Sequence, residues 1–137
     1  MQRAALGLLA TREHSRGELA RKLAARGFAE GEIRTALDAW ANAGLIDEDR
    51  LAEAYVAERL RKGFGPLRIR QELRAKGLSD EQIAPHLRLA QADLLGLLAA
   101  AHDKRFGRAA ALDGRERARR GRFLEYRGFP ADLIARF

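Results

Sequence analysis

The feature that most constrains this sequence is a pattern of apolar residues and glycine that occurs three times, about fifty residues apart. In each copy an apolar residue stands four positions before a glycine, and a large apolar residue and then an isoleucine follow that glycine. The copies are Leu23, Gly27, Phe28 and Ile33; Leu73, Gly77, Leu78 and Ile83; and Leu124, Gly128, Phe129 and Ile134. Repeats of this length are typical of arrays of small units that cannot bury a core alone, so we expect neighbouring units to stack.

The local spacing within each copy predicts helices. Apolar residues four apart lie on one face of a helix, and the glycine can end that helix in the left-handed conformation. Ser15 with Glu18 and Ser79 with Gln82 have the spacing of capping boxes, Asp113 with Glu116 is the aspartate analogue, and Pro130 suits a first helical position. The predicted helices are 4–12, 16–26, 30–43, 48–62, 66–76, 80–91, 93–105, 114–127 and 131–136.

Composition supports an all-α fold. Only eight of the 137 residues are β-branched, too few for a sizeable sheet, whereas Ala, Leu, Arg and Glu dominate and are good helix formers. The sequence therefore predicts three tandem three-helix repeats, stacked into an elongated, curved array. We expect the units to span residues 1–46, 47–91 and 92–137, with a loop around 107–114 that makes the third the least regular.

Several classes of protein are excluded by the residues present. The chain has no cysteine, so it has no disulfide, thiol chemistry or cysteine-ligated zinc. The apolar runs Leu6–Ala10 and Leu94–Ala101 are too short for a signal-peptide core and a bilayer span, respectively. We therefore expect a soluble cytoplasmic protein with no membrane contact.

Charge points to an anionic partner. Lys and Arg number 26 against 19 acidic residues, a net charge of +7, and only four of the basic residues are lysine. Arg makes forked contacts with phosphate and carboxylate, although a GC-rich genome would also favour Arg. The candidate DNA- or protein-binding residues lie in two basic stretches and just beyond: Arg68, Arg70, Arg74, Lys76, Arg115, Arg117, Arg119, Arg120, Arg122 and Arg127.

Each basic residue taken singly is also compatible with an ordinary solvated helix face. The run Arg115–Arg122 is different, because its five arginines have only Glu116 among them to pair with. Phosphate contacts by such a run would weaken steeply with salt. Base stacking finds little support, because the spacing of Phe123 and Tyr126 predicts that both belong to the core.

An acidic stretch begins the second unit. Asp47, Glu48 and Asp49 are candidates for contact with a basic protein surface, although acids at a helix start are also explained by the helix dipole. An array with basic and acidic faces suits a partner of mixed charge, such as a protein that already holds nucleic acid.

Catalysis finds little support in the sequence. His14, His86 and His102 share no metal-ligand spacing, and we expect His86 and His102 to be exposed. Ser15 and Ser79 are assigned to helix caps, and Gly63–Pro66 follows no strand and lacks the Lys–Ser/Thr of a phosphate loop. We expect no enzyme activity, cofactor or metal.

Four segments resemble the RecX family of bacterial regulators, in the family's order and spacing. They are Arg12–Ser15 with Glu18, Leu19 and Arg26–Phe28; Gly44–Arg50 with Ala52, Tyr55, Val56 and Arg59; Gly63, Gly65–Pro66, Arg68–Ile69, Glu72–Leu73 and Lys76–Gly77; and Arg122–Leu124 with Arg127–Phe129. The sequence departs from the family in having Leu51 where Phe is usual and Asp93–Leu95 where Trp is common. Its lead before Ala4 is short, which suggests a trimmed N-terminus.

The resemblance implies a regulator of RecA. Members of the family are built from tandem three-helix units and bind RecA and its filament on single-stranded DNA, in the helical groove. They inhibit filament extension, ATPase, strand exchange and coprotease activity, and so modulate DNA repair, recombination and the SOS response. Some also bind DNA directly, and here we expect weak, sequence-independent binding by a monomer. The basic residues would then face DNA or acidic RecA surface, and Asp47, Glu48 and Asp49 would meet basic RecA loops.

Two other classes remain open. Residues 15–46 resemble the helical part of a winged helix, a sequence-specific helix-turn-helix DNA reader, but residues 47–61 read as a helix where the two strands of a wing belong. A pure protein scaffold would bind no DNA at all.

Overall fold

The computed structural model describes residues 1–137 and contains nine α-helices and no strand. The helices are α1 (Gln2–Thr11), α2 (Arg16–Ala25), α3 (Glu30–Asn42), α4 (Glu48–Arg61), α5 (Pro66–Ala75), α6 (Asp80–Ala92), α7 (Leu94–Phe106), α8 (Gly114–Tyr126) and α9 (Ala131–Arg136). All nine predicted helices are confirmed, with ends that differ by at most two residues. No helix has both the length and the apolar character needed to cross a membrane.

The helix starts follow the predicted cap chemistry. Ser15 and Ser79 each form a complete capping box, and Asp113 accepts a hydrogen bond from the Glu116 amide at the start of α8. The prediction for Pro130 was wrong by one position. Its extended backbone, with ψ of 139°, makes it the N-cap of α9, so Ala131 is the first helical residue.

The repeated glycines end their helices as predicted. Gly77 has a φ of +99°, and the amide of Leu78 donates to the Leu73 carbonyl, which closes the last turn of α5. Gly27 and Gly128 form the same turn after α2 and α8. The large residue after the glycine is thereby carried back onto the helix, which buries Leu78 and Phe129.

Each triplet of helices has its own buried core. The first cluster contains Leu19, Leu23, Ile33 and Trp40; the second contains Val56, Ile69, Leu73 and Ile83; and the third contains Leu98, Leu124 and Phe129. The units stack one on the next as predicted, and the contacts between them include polar groups at helix ends. We propose unit boundaries at 46/47 and 91/92, between the clusters.

The two joints between units are built alike. At the first, the Ser15 hydroxyl donates to the Lys76 carbonyl, which brings the start of α2 onto the end of α5. At the second, the Gly65 amide donates to the Arg127 carbonyl at 2.7 Å, which brings the start of α5 onto the end of α8. Ser15 and Gly65 are fifty positions apart, so one docking mode is used twice. No hydrogen bond or ion pair joins the first unit to the third, and the units follow one another in a row.

The wing of a winged helix is absent. The segment after Ile46 enters α4 directly, and no strand occurs anywhere in the chain. The structure thus contradicts the winged-helix interpretation of the first unit.

Candidate nucleic-acid and protein interface

Helix α8 presents the largest group of unpaired positive charges. Two apolar residues of this helix belong to the third core, where Leu124 is fully buried and Phe123 packs against it. Arg115, Arg117 and Arg122 are exposed and make no ion pair or side-chain hydrogen bond. They are free to bind an anionic partner.

Glu116 pairs with the other two arginines of this run. Its carboxylate accepts from Arg119 Nη2 at 2.7 Å and from Arg120 Nε at 3.0 Å. The hydrogen bonds from Arg119 and Arg120 lower the pKa of Glu116 to about 2. Arg120 is enclosed, with 13% of its side chain exposed, and it also donates to the Ala109 carbonyl at 2.8 Å. Arg120 therefore holds the loop before α8 in place and is poorly available to a partner.

The basic residues of the second unit differ in availability. Arg70 has no ion-pair partner, whereas Arg74 Nε donates to Asp80 Oδ1 at 2.5 Å on the surface. Lys76 is largely covered, and its Nζ lies 3.3 Å from Glu18 Oε2 in the first joint. On this helix Arg70 is thus unpaired but half-buried, and Arg74 is exposed but paired.

Arg68 and Arg127 belong to an arginine–aromatic cluster at the second joint. The guanidinium carbons of Arg59, Arg68 and Arg127 lie 3.6, 4.6 and 4.3 Å from the centre of the Phe64 ring. Arg68 also lies 4.7 Å from the centre of the Tyr126 ring. Such cation–π contacts stabilise the joint while leaving the cluster positively charged.

The three predicted acidic residues have separate local roles. Asp47 caps α4 by accepting from the Arg50 amide at 3.0 Å. Burial raises the pKa of Glu48, which lies beside Gln82 and Arg16. Asp49 is the most available, since 85% of its side chain is exposed, although His86 Nε2 approaches it at 3.2 Å.

Comparison with known protein families gives a consistent result over the whole chain. Residues 3–38, 47–87 and 92–137 match the models of the first, second and third three-helix domains of RecX. The regulatory protein RecX of Halorhodospira halophila is 47% identical over 131 residues, which cover 96% of this chain and 81% of that protein. The chain belongs to the RecX family.

Further RecX proteins extend the match. The regulatory protein RecX of Pseudomonas savastanoi pv. phaseolicola is 46% identical over 99% of this chain and 88% of its own length. The crystal structure of RecX from Lactobacillus salivarius superposes with a TM-score of 0.77 at 23% identity, over 97% of this chain and 88% of that one. A second crystal structure of regulatory protein RecX gives a TM-score of 0.78 at 22% identity, over 95% of this chain and 67% of that one. The fold of three tandem three-helix repeats is thus confirmed as a RecX fold.

Two histidines of this RecX chain are buried, and one of them contradicts the sequence analysis. His102 was expected to be exposed, but it lies between Phe106 and Phe137, with ring centres 5.4 and 5.0 Å away. Its Nε2 accepts from Arg120 Nη1 at 3.2 Å, so Nδ1 carries the proton and donates to Asp103. His14 is buried beside Lys22, and burial is the main reason that its pKa is lowered.

Tyr126 was also misplaced in the sequence analysis. The spacing predicted a core position, but 71% of Tyr126 is exposed, and it is the most exposed aromatic residue of the RecX chain. Its partner in that prediction, Phe123, does pack against the third core. The error arose because Tyr126 stands two positions after the buried Leu124, which places the two side chains on nearly opposite sides of α8.

Proposed function

We propose that this RecX-family chain binds RecA and the RecA filament on single-stranded DNA, in the filament's helical groove. Binding inhibits filament extension, ATPase, strand exchange and coprotease activity, and thereby regulates DNA repair, recombination and the SOS response. The observation that carries this proposal is the match of all three RecX domains, in order, between residues 3 and 137.

The charge distribution supports a nucleoprotein partner. Arg70, Arg115, Arg117 and Arg122 lack counter-ions within the chain, and the net charge is +7. Unpaired arginines bind phosphates at the cost of little internal rearrangement, since no ion pair has to break. We propose that these residues bind DNA weakly and without sequence preference, or contact acidic surface of RecA. Arg68, Arg74, Arg119 and Arg127, which have partners within the chain, would add weaker contacts at the edge of the same surface.

The acidic residues support a second, protein-directed contact. Asp49 projects from the start of α4 and is largely exposed. We propose that it meets a basic RecA loop, while Asp47 and Glu48 shape the backbone that carries it. The protein then acts as a monomeric, non-catalytic regulator in the cytoplasm.

A charge-reversal variant tests the basic face. Arg115→Glu with Arg122→Glu is expected to weaken inhibition of RecA's single-stranded-DNA-dependent ATPase by about tenfold or more, because each reversal replaces attraction by repulsion. Helicity is expected to be retained, because both side chains are exposed and neither makes an ion pair or a side-chain hydrogen bond within the chain. The matched control is Arg3→Glu with Arg88→Glu, which changes the net charge equally at exposed residues of α1 and α6.

Full inhibition by the α8 variant with intact helicity contradicts the assignment of this face. If the α8 variant and the control lose inhibition of the RecA ATPase to the same extent, net charge alone governs binding. That result also contradicts the assignment of this face.

A further inference from the structure

One face of α8 carries exposed arginines that lead to an exposed aromatic ring. Arg115, Arg119, Arg122 and Tyr126 are four, three and four positions apart, so they lie along the same side of the helix. All four are exposed. At a rise of 1.5 Å per residue, the row extends over about 16 Å. A few nucleotides of a single strand of nucleic acid have a similar length, so their phosphates and bases could contact this row.

The position of Tyr126 is unusual for a tyrosine that has only a structural role. The Arg68 guanidinium covers one side of the ring, and 71% of the residue is exposed. Arg68 is itself held by a hydrogen bond of 3.3 Å from its Nη1 to the Tyr126 carbonyl. The backbone under the ring is therefore fixed, and the ring is presented to solvent.

A shallow cleft of about 490 Å³ lies next to the ring, between α5 and the end of α8. Leu67 and Gln71 line it on the α5 side, together with Glu125 on the α8 side. Leu67 offers apolar surface, and the Gln71 amide can donate to or accept from the edge of a base. The negative charge of Glu125 repels phosphate from this cleft. The phosphates are therefore expected to lie along the arginines of α8, with the base over the Tyr126 ring.

We infer that Tyr126 is a stacking platform for one unpaired base of single-stranded DNA, whose neighbouring phosphates are bound by Arg122 and Arg115. This inference rests on the proposed binding of DNA by the same helix. Stacking on an aromatic ring is tolerant of sequence, because every base has a π face, and it is denied to a duplex whose bases are paired. The platform therefore gives the basic face its preference for single strands.

The test compares binding of fluorescein-labelled oligo-dT with binding of a duplex that has the same number of phosphates. Tyr126→Ala is expected to weaken binding of oligo-dT about tenfold and to leave duplex binding unchanged, whereas Tyr126→Phe stays within about twofold of the parent. Arg122→Ala is expected to weaken binding of oligo-dT and of the duplex, and to reduce the salt dependence of each. Leu112→Ala, at a residue that is 96% exposed in the loop before α8, is the surface control.

A second readout locates the ring directly. An oligo-dT in which one base is replaced by 5-iodouracil is expected to crosslink to Tyr126 on irradiation, and peptide mapping identifies the residue. Crosslinking elsewhere, or oligo-dT binding by Tyr126→Ala that matches the parent, overturns the stacking site.

The inference and the proposed function fail in different ways. If Tyr126→Ala loses inhibition of RecA but keeps oligo-dT binding, the ring contacts protein and the stacking site is wrong, while the proposed function stands. If the parent protein inhibits RecA without binding oligo-dT, the stacking site is again wrong. If the parent protein binds oligo-dT through Tyr126 but has no effect on RecA, the site stands and the proposed function fails.

Discussion

The Leu67 amide donates to the Gly128 carbonyl at 3.0 Å, across the joint between the second and third units. The first turn of a helix has amide groups without partners inside the helix, and here a neighbouring helix end supplies one. Gly65 completes the joint, since its amide donates to the Arg127 carbonyl. These backbone hydrogen bonds thus help to set the orientation of the third unit. A side chain at Gly65 would push the two helix ends apart.

Gly65→Ala is expected to destabilise this joint. An added Cβ at Gly65 would stand 2.6 Å from the Gly128 carbonyl carbon and oxygen, so the two helix ends have to separate. Overpacking of this kind costs about 1–3 kcal/mol of unfolding free energy, measurable by urea denaturation. Gly65 has a φ of −98°, so the loss reflects contact and not backbone strain.

The control for this substitution is Gly7→Ala. Gly7 lies within α1 with no atom within 4 Å of an added Cβ, and alanine there is expected to stabilise the helix by up to about 1 kcal/mol. A Gly65→Ala protein as stable as the parent contradicts the described joint.

Glu18→Gln is expected to weaken the first joint. Burial alone would raise the pKa of Glu18, but the hydrogen bonds from Arg12 and the Ser15 amide, with the charge of Lys76, lower it to about 2. The neutral amide leaves Arg12 and Lys76 without their counter-ion, at a cost of about 1–3 kcal/mol near neutral pH. Urea denaturation of the parent and the variant measures the difference.

The pH dependence of that difference checks its cause. A carboxyl whose pKa is depressed by folding contributes stability above its ordinary pKa and loses it as pH falls towards the folded-state value. The difference in unfolding free energy between parent and variant is therefore expected to shrink as the pH falls from about 4.5 to about 2. A difference that is constant across this range would mean that the charge of Glu18 is irrelevant. Glu30→Gln, at an exposed residue of α3, is the matched control.

Arg120 and Arg117 are expected to respond differently to truncation. Arg120→Ala removes the hydrogen bonds to Glu116, the Ala109 carbonyl and His102, and is expected to cost about 1–3 kcal/mol in thermal or urea unfolding. Arg117→Ala removes no ion pair or hydrogen bond of this exposed side chain and is expected to stay within about 0.5 kcal/mol of the parent. Equal stability of the two variants contradicts the structural role of Arg120.

Substitutions of Asp47 and Asp49 are expected to have different effects, because Asp47 caps α4 and Asp49 is proposed to bind the partner. Asp47→Ala is expected to lower stability by about 1 kcal/mol because α4 loses its N-cap. Asp49→Ala has little effect on stability but is expected to weaken inhibition of RecA. The two variants are compared by urea denaturation and by the ATPase assay, and a reversed pattern refutes the proposed division of roles.

Much of this fold follows from local chemistry that the sequence displays. Ser15 and Ser79 cap helices through residues three positions away, and Gly77 ends α5 through its own backbone freedom, so each is predictable without knowledge of the rest of the chain. The helices and their grouping into three units rest on such signals.

The candidate site was less predictable, because availability depends on distant neighbours. Lys76 is paired with Glu18, 58 positions away, across a joint whose geometry no local pattern displays. His102 is enclosed by Phe106 and Phe137, and Tyr126 is exposed because it lies on nearly the opposite side of α8 from the buried Leu124. Composition predicts only that some arginines bind an anion, whereas the structure shows that Arg122 is exposed and unpaired and that Arg120 is enclosed and paired with Glu116.

The central claim, regulation of RecA, is tested most directly by titrating this protein into RecA's single-stranded-DNA-dependent ATPase reaction at concentrations below that of RecA. The account predicts inhibition well below one molecule per RecA, because a molecule that blocks extension or breaks the filament at one point affects many subunits. Inhibition only when the protein saturates the DNA indicates simple competition for DNA. That result, or no inhibition of a cognate RecA, contradicts the account.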